Sequence, residues 1–429
     1  MDWESIPRTF QDSIEYTRTL GISYLWIDSL CIVQDDDDDW REEAARMGLI
    51  YRNSYLTIAG TTSINMNGGL FNNISSTVAG GSVDINGQGT SCKLLVRRRP
   101  PHLSTDEKFE LEYELPLLSR AWILQERLLS TRVLHFTANE LQWECIQKST
   151  CQCLSDQGNA NSLKGEFNEE CWDSRSIHWH KLLHEYTRLG LSFGKDIFPA
   201  LSGVARQVQE WNPKRGRYLA GLWEKNLVED LIWSPNPQYP LGQRPKPWRA
   251  PTWSWASIES PVRFSFFDIP YGHTWLYKHI AKVTYVDIVP IGPDTMGKLS
   301  SAVLHMSSEV MEGHVIYDQQ LQDTSLAWDR FFIRVKNKQH QSNPFSQYTM
   351  TPDYLINKAP GDDFVPSGAG VICVDLAIIN DGYTGVGIML VLQEAKTGTG
   401  IYKRIGTVRK QMPENQDVEK YLKEGITIV

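Results

Sequence analysis

The sequence lacks any apolar run long enough to cross a bilayer as a helix. Its longest apolar stretch, around Val386 to Leu392, has the length of a buried strand. The first residues, Met1 to Arg8, are polar and contain Pro7, so they resemble neither a signal peptide nor a transit peptide. These absences predict a cytoplasmic protein with no membrane partner.

Basic clusters are also scarce. The net charge is -8, and no basic run extends beyond Arg97 to Arg99. This charge pattern argues against nucleic acid as a partner. The cysteines are odd in number, seven in all, and they are spread from Cys31 to Cys373. Such a distribution fits reduced thiols in the cytosol better than a disulfide framework.

Two clusters of possible metal ligands are present, and neither has a recognised spacing. The five aspartates Asp35 to Asp39 lack the alternating oxygen ligands and central glycine of a calcium loop, and we expect a solvated loop ending in an N-cap at Asp39. The second cluster matches no zinc pattern. We therefore predict no metal site. The members of this second cluster are Cys145, Cys151, Cys153, Cys171, His178, His180 and His184.

Tryptophan is the abundant residue, with 15 copies. Two of them, Trp253 and Trp255, form a W-x-W pair. Heavy aromatic packing is the conservative interpretation. A stacking platform for a carbohydrate or nucleotide remains a second interpretation.

The N-terminal residues alternate between helical and strand patterns. The periodicity predicts a helix over Phe10 to Leu20, which Gly21 ends, and a buried strand over Tyr24 to Ile27. A second helix is predicted over Trp40 to Tyr51 and a second strand over Tyr55 to Ala59. This order favours an α/β domain with a parallel sheet and crossover helices.

The remainder of the chain divides into a helical segment and a β-rich segment. The predicted helices cover 174–190, 198–208 and 218–233, and a strand is expected over Thr252 to Ser257. Alternating patterns dominate after His279, with a short final helix near Val418 to Lys423. We predict three domains: an α/β domain at 1–155, a helical and Pro/Trp-rich connection at 156–260, and a β-rich domain at 261–429.

One stretch, Ser119 to Ser130, places a carboxylate beside an aromatic ring. On a helix, Trp122 and Glu126 fall on one face. A carboxylate against apolar surface is poorly solvated, so its proton affinity rises and it becomes useful in catalysis. The alternative is structural, with Trp122 in the core and Glu126 paired with Arg120 or Arg127 on the surface.

Three motifs together resemble the heterokaryon-incompatibility (HET) domain of filamentous fungi. They are Y-L-W-I-D-S-L-C-I at Tyr24 to Ile32, S-R-A-W-I-L-Q-E at Ser119 to Glu126, and L-Q-W-E-C at Leu141 to Cys145. Later stretches, including Y-L-A-G-L-W at Tyr218 to Trp223 and A-P-T-W-S-W at Ala250 to Trp255, also recur in long members of that family. The resemblance extends to about residue 257.

The HET family is similar in outline to Toll/interleukin-receptor (TIR) domains, which implies a flavodoxin-like sheet. By that resemblance, Glu126 is the glutamate of NAD-cleaving members and Trp122 is its aromatic neighbour. Trp122, Trp26, Asp28 and Arg120 are the implied substrate-binding residues. NAD⁺ is then a possible substrate and no cofactor is implied. The opening strand of HET domains is missing here, because the chain starts directly before the first helix.

The resemblance implies a role in fungal non-self recognition and the programmed cell death that follows, with possible NAD⁺ glycohydrolase activity. Whether the protein is an enzyme stays open. One alternative is a non-catalytic module that signals through a protein partner or self-association. Another is a biosynthetic enzyme that reuses the fold, with an apolar pocket lined by Trp223, Trp253 and Trp255.

Overall fold

The computed structural model describes residues 2–71, 80–87, 90–97, 115–153, 163–169, 172, 177–264, 276–317, 330–336, 345–380, 385–412 and 418–429. The chain forms two compact units. The first comprises Met1–Trp172 and Leu189–Leu191, and the second comprises Asp173–Arg188 and Ser192–Val429. The three-domain division stays a prediction. Within the described residues, no helix is long and apolar enough to traverse a membrane.

The first unit is a mixed α/β structure. Its helices are α1 (Arg8–Thr19), α2 (Asp28–Cys31), α3 (Asp37–Asn53), α4 (Ala121–Leu129) and α5 (Leu163–Glu166). Its strands are β1 (Thr57–Ala59), β2 (Gly80–Gly87), β3 (Thr90–Arg97), β4 (Arg132–Phe136), β5 (Leu141–Cys145) and β6 (Ser149–Cys151). Strands β2 and β3 form a separate hairpin.

A four-stranded sheet with the order β1-β4-β5-β6 organises this unit. Strands β1 and β4 are parallel, and the remaining neighbours are antiparallel. Helix α4 lies between the two parallel strands in the chain, as a crossover connection requires. The apolar core on this sheet centres on Leu70, Leu134 and Phe136. The predicted α/β character of the N-terminal domain is confirmed by this mixture of helices and strands. The expected parallel sheet is wrong for most of this sheet, because among its described strands only the β1–β4 pair is parallel.

The strand expected over Tyr24 to Ile27 is wrong. These residues are neither helix nor strand, and the side chain of Tyr24 is 91% exposed. The apolar, β-branched composition has strand propensity, but a strand also needs a partner for its backbone groups. No described strand pairs with this segment. It leads instead into α2, whose first residue is Asp28.

The cap of α3 also differs from the sequence prediction. Asp36, not Asp39, is the N-cap, and its carboxylate accepts hydrogen bonds from the backbone N–H groups of Asp38 and Asp39. The Asp39 carboxylate accepts from the N–H of Val33. The aspartate run therefore begins the helix rather than forming only a loop, because negative charge is favourable at a helix N-terminus.

The second unit contains short helices and a large sheet. The helices are α6 (Ile177–Tyr186), α7 (Pro199–Trp211) and α8 (Leu227–Asp230). The short strands are β7 (Tyr218–Leu219), β8 (Leu222–Trp223), β9 (Trp233–Pro235) and β10 (Val262–Phe264). The large sheet contains β11 (Leu276–His279), β12 (Lys282–Pro290), β13 (Leu299–Ile316), β14 (Phe331–Lys336), β15 (Phe345–Pro352), β16 (Gly370–Asn380), β17 (Gly385–Glu394), β18 (Ile401–Met412) and β19 (Tyr421–Ile428).

The long strand β13 explains the pairing of the large sheet. Its C-terminal residues pair with β14 on one side and β16 on the other, its N-terminal half pairs with β12, and its middle pairs with β19. Pairings through β15, β18 and β17 complete a closed cycle of six strands. The β-rich C-terminal region is confirmed. The short helix predicted near Val418 to Lys423 is wrong, because this segment enters β19 against β13.

Two further predictions fail around the tryptophan-rich turns. Residues 218–233 do not form one helix, because Ala220 and Gly221 have φ angles of 48° and 92° and close the β7–β8 hairpin. Gly221 cannot be replaced easily, since a Cβ there would meet the Trp255 ring. Residues 252–257 form a turn and a 3₁₀ segment, Trp255–Ser257, rather than a strand.

Five fully buried tryptophans lie in the core of the second unit: Trp179, Trp223, Trp233, Trp253 and Trp255. Trp223 and Trp253 are 0% exposed and Trp255 is 1% exposed. The ring centroids of Trp179 and Trp223 are 5.4 Å apart in an edge-on arrangement. The indole N–H groups of Trp179 and Trp255 both donate to the carbonyl of Gly221. This packing agrees with the conservative interpretation of the tryptophan content.

A buried arginine connects the short strands to the large sheet within this unit. Arg404 is 0% exposed, and its guanidinium binds both carboxylate oxygens of Asp353 at 2.9 and 3.2 Å. It also donates to the carbonyls of Leu231 and Trp233 and lies 3.5 Å from the Trp233 ring centroid. The planar donor fork of arginine suits this combination of partners.

Candidate functional site

Helix α4 presents the glutamate that the motif S-R-A-W-I-L-Q-E predicts. A short 3₁₀ segment, Pro116–Ser119, precedes the helix. The N–H of Ala121 donates to the carbonyl of Gly190 at 2.9 Å, and the N–H of Gly190 donates to the carbonyl of Ser119 at 2.7 Å. These bonds fix where the helix begins. The apolar side chains Ile123, Leu124 and Leu128 are buried, so the helix is held by its core-facing side.

The C-terminus of α4 is capped by a lysine that is distant in sequence. The fully buried Lys164 amine donates to the carbonyls of Arg127 and Ser130. A cation satisfies the free carbonyls of a helix C-terminus and interacts favourably with the helix dipole. Burial lowers the pKa of Lys164 to about 8. The Ser130 hydroxyl also donates to the carbonyl of Glu126 at 2.6 Å.

A buried ion pair fixes the side of α4 that faces the sheet. Arg127 donates two hydrogen bonds to the carboxylate of Glu144 on β5, at 2.6 and 2.7 Å. Although burial opposes ionisation, Arg127 and His135 hold the pKa of Glu144 far below its ordinary value. His135 is 3.5 Å from the same carboxylate, and burial lowers the pKa of its imidazole. Arg127 is therefore engaged by Glu144.

The carboxylate cluster, defined here as Asp28, Tyr51, Arg120 and Glu126, lies at the side of α4 that faces α3. The Tyr51 hydroxyl forms a hydrogen bond with the Glu126 carboxylate. Asp28 and Arg120 are near enough to act on Glu126 by Coulomb interaction. Tyr51 and Glu126 are half-buried, while Asp28 and Arg120 are exposed. The cluster thus combines a partly buried acid, Glu126, with two charged groups that face solvent.

Burial and Asp28 together raise the pKa of Glu126 to about 7, against an ordinary value of 4.5. Burial has the larger effect because it removes water from the charged form. The Tyr51 hydrogen bond and the Arg120 charge both act in the opposite direction. At neutral pH the carboxyl group therefore exchanges readily between its acidic and ionised forms, as a catalytic acid or base must.

Aromatic rings flank this cluster. The Trp26 and Tyr51 ring centroids are 5.8 Å apart, and those of Trp40 and Trp122 are 6.4 Å apart. Both pairs are nearly perpendicular, at 81° and 88°. Trp26, Trp40 and Trp122 are half-buried, so each keeps some exposed surface. Partly exposed aromatic rings beside an acid are suited to contact a planar ligand.

The structure brings the predicted site residues into one neighbourhood. Asp28 and Arg120 interact with Glu126 through their charges. The ring of Trp26 contacts Tyr51, whose hydroxyl is hydrogen-bonded to Glu126. Trp122 lies one turn before Glu126 on α4 and packs on Trp40. Their catalytic and binding roles stay predictions.

Sequence reasoning missed Tyr51 and Trp40 as members of this neighbourhood. Both belong to α3 and are about three helical turns apart, so they lie on the same side of that helix. The sequence pattern predicted them as the first and last residues of the second helix. The partnership of Tyr51 with Glu126 depends on the packing of α3 against α4, which spacing within one helix does not reveal.

A group of possible metal ligands occurs on the β5–β6 hairpin. One carboxylate oxygen of Glu140 and the thiols of Cys151 and Cys153 all lie within 4.8 Å of one another. Two members, Cys151 and Cys153, belong to the cysteine set noted in the sequence. Cys145 is outside this group, and Cys171 lies outside the described residues.

The family model described as heterokaryon incompatibility protein (HET) matches residues 1–126. No curated protein and no solved structure matches the chain. The HET prediction is confirmed for residues 1–126, and this matched segment ends at the glutamate of the carboxylate cluster.

Proposed function

Because residues 1–126 carry a HET domain, we propose that this protein acts in fungal non-self recognition and in the cell death that follows. We propose further that the carboxylate cluster cleaves NAD⁺ between ribose and nicotinamide. The observation that carries the second proposal is Glu126 itself, a half-buried acid with a pKa of about 7. A kinship with TIR domains would place this glutamate at the catalytic position.

The reaction needs a negative charge near the ribose. When the bond between the anomeric carbon and the nicotinamide nitrogen breaks, its electron pair leaves with nicotinamide and positive charge develops on the sugar. The ionised Glu126 carboxylate would stabilise that charge and orient the ribose hydroxyls. A water oxygen then bonds to the anomeric carbon, and its proton passes to the carboxylate or to solvent.

The neighbours of Glu126 suit separate roles in this reaction. Tyr51 holds the carboxylate through its hydroxyl. Arg120 is exposed and positively charged, so it is suited to a phosphate of the dinucleotide. Trp26 and Trp122 are half-buried rings on which the nicotinamide or adenine could stack. Asp28 keeps the pKa of Glu126 high and is suited to bind a ribose hydroxyl.

Nicotinamide release by the purified protein tests the proposed activity. We expect Glu126→Gln to reduce kcat by about a hundredfold or more, the size of a positioned catalytic group. Glu42→Gln is the matched control, since Glu42 is a largely exposed carboxylate on α3. The wild-type rate should rise with pH through about 7, as Glu126 ionises.

Equal nicotinamide release from wild type and Glu126→Gln would refute the catalytic role. Cell killing provides the second readout, by expression of both proteins in a fungal host. Killing that persists with Glu126→Gln, in a protein that releases no nicotinamide, would assign the biological role to a non-catalytic module instead.

A further inference from the structure

Strand pairing places two cysteines and a glutamate on one face of the β5–β6 hairpin. Gln142 is paired with Cys151. Following the same antiparallel register outward puts Glu140 opposite Cys153. Because side chains alternate along a strand, Cys151 and Cys153 point to the same side, and so do Glu140 and Gln142. Glu140 is distant in sequence from the two cysteines, and the hairpin brings the three side chains together.

The ligand atoms are close and sheltered. The sulfur atoms of Cys151 and Cys153 are 2.6 Å apart, and neither belongs to a disulfide. The carboxylate oxygens of Glu140 accept hydrogen bonds from the N–H of Cys153 at 3.0 Å and from the Gln142 amide at 3.5 Å. Glu140 is 4% exposed and Cys151 is 6% exposed. The second oxygen thus has an amide partner that orients it, as outer partners of metal ligands do.

We propose that Glu140, Cys151 and Cys153 bind a zinc-type divalent cation. Zinc accepts thiolate sulfur at about 2.3 Å and carboxylate oxygen at about 2.0–2.2 Å. Tetrahedral bonds of that length separate two sulfurs by roughly 3.8 Å, so the thiols would move apart by about 1 Å on binding. A small χ1 rotation of either cysteine provides this change.

The ligand types select among cations. Two thiolates disfavour magnesium and calcium, which prefer oxygen ligands, while the carboxylate distinguishes the site from an all-sulfur copper(I) site. Three protein ligands leave a fourth position for water. Binding transfers the two thiol protons to solvent, so affinity should increase with pH. The inference is independent of NAD⁺ cleavage, because none of its ligands belongs to the carboxylate cluster.

Zinc binding by the full-length, reduced protein tests the site, with a chromophoric chelator as competitor. We expect one zinc ion per chain and at least a tenfold weaker affinity in Cys151→Ser and in Cys153→Ser. Cys145→Ser is the matched control, because Cys145 is a half-buried cysteine of the same hairpin outside the group. Its zinc affinity should equal that of wild type.

Alkylation of the wild type keeps the test valid if a variant does not fold. Peptide mapping should show that zinc protects Cys151 and Cys153 from an alkylating reagent and leaves Cys145 reactive. The same reactivity with and without zinc would overturn the proposal. So would a Cys151–Cys153 disulfide in the protein as purified, which would make the pair a redox element rather than a metal site.

Discussion

The Tyr51 hydroxyl is hydrogen-bonded to the carboxylate of Glu126, and this bond joins helix α3 to helix α4. Burial and Glu126 together raise the pKa of Tyr51 well above its ordinary value, so the phenol stays protonated and donates. The donated bond favours the ionised carboxylate and offsets part of the cost of burial. This contact thus helps to position the proposed catalytic group and lowers its pKa against the effect of burial.

Replacement of this tyrosine should make Glu126 a weaker acid. In Tyr51→Phe the ring remains and the hydrogen bond is lost, so the pKa of Glu126 should rise above about 7. The measurement is a carbon-13 NMR titration of labelled glutamates, with Glu126→Gln identifying the resonance. Tyr55→Phe is the control, since Tyr55 is 66% exposed. An unchanged Glu126 titration in Tyr51→Phe would contradict the proposed bond.

The two exposed charges near Glu126 should shift its pKa in opposite directions. Asp28→Asn removes a negative neighbour, so the pKa of Glu126 should fall. Arg120→Gln removes a positive neighbour, so the pKa should rise. Both shifts should shrink at high salt, because exposed charges are screened. The same NMR titration measures them, and shifts of equal sign would exclude this arrangement.

The raised pKa of Glu126 should make stability depend on pH. The folded protein holds this proton more tightly than the unfolded chain, whose pKa is near 4.5. The free energy of unfolding should therefore decrease as pH rises from about 4.5 to about 7, and the contribution should be constant above that range. The difference between the two pKa values corresponds to roughly 3 kcal/mol at most, and partial exposure reduces it.

Glu126→Gln isolates this contribution, because glutamine does not titrate. Thermal melts at pH 5 and pH 8 should show the variant gaining stability relative to wild type at the higher pH. A stability difference that is the same at both pH values would mean that Glu126 has an ordinary pKa.

Loss of the ion pair behind α4 should destabilise the first unit strongly. Glu144→Gln leaves the Arg127 guanidinium, 19% exposed, without its carboxylate partner. The expected loss is about 3–5 kcal/mol, as found when one member of a buried pair is removed. Denaturant unfolding measures it. Glu43→Gln is the comparison, because its partner Arg46 is 61% exposed and such a pair contributes about 0.2–1 kcal/mol. Similar losses would contradict the structural role.

The second unit should depend on the guanidinium of Arg404. Arg404→Lys keeps the charge but loses the planar fork that binds Asp353 together with two backbone carbonyls. We expect a loss of roughly 2–4 kcal/mol, since buried groups are left unsatisfied. The measurement is unfolding of the second unit, and Arg409→Lys on β18 is the control. A neutral Arg404→Lys would show that a point charge suffices.

Local sequence patterns correctly predicted the helices and strands that depend mainly on residues near to one another in the chain. Gly21 ends α1 with a φ angle of 69°, where a side chain would be strained. Alternating patterns after residue 279 predicted the β-rich C-terminal region, and strands such as β13 and β14 do bury alternate residues. The motif at Ser119 to Glu126 predicted the helix and its acid, since Trp122 and Glu126 are one turn apart on it.

The tertiary structure alone decided how those elements meet. Tyr24 to Ile27 has the composition of a strand, but strand formation requires a partner, and pairing is a long-range property. The pKa of Glu126 is raised by burial and Asp28 and lowered by the hydrogen bond from Tyr51, and both residues lie far from it in the chain. Likewise, Glu140 joins Cys151 and Cys153 only through the register of a hairpin. Burial, pairing and charge proximity depend on distances in space, which one-dimensional spacing does not contain.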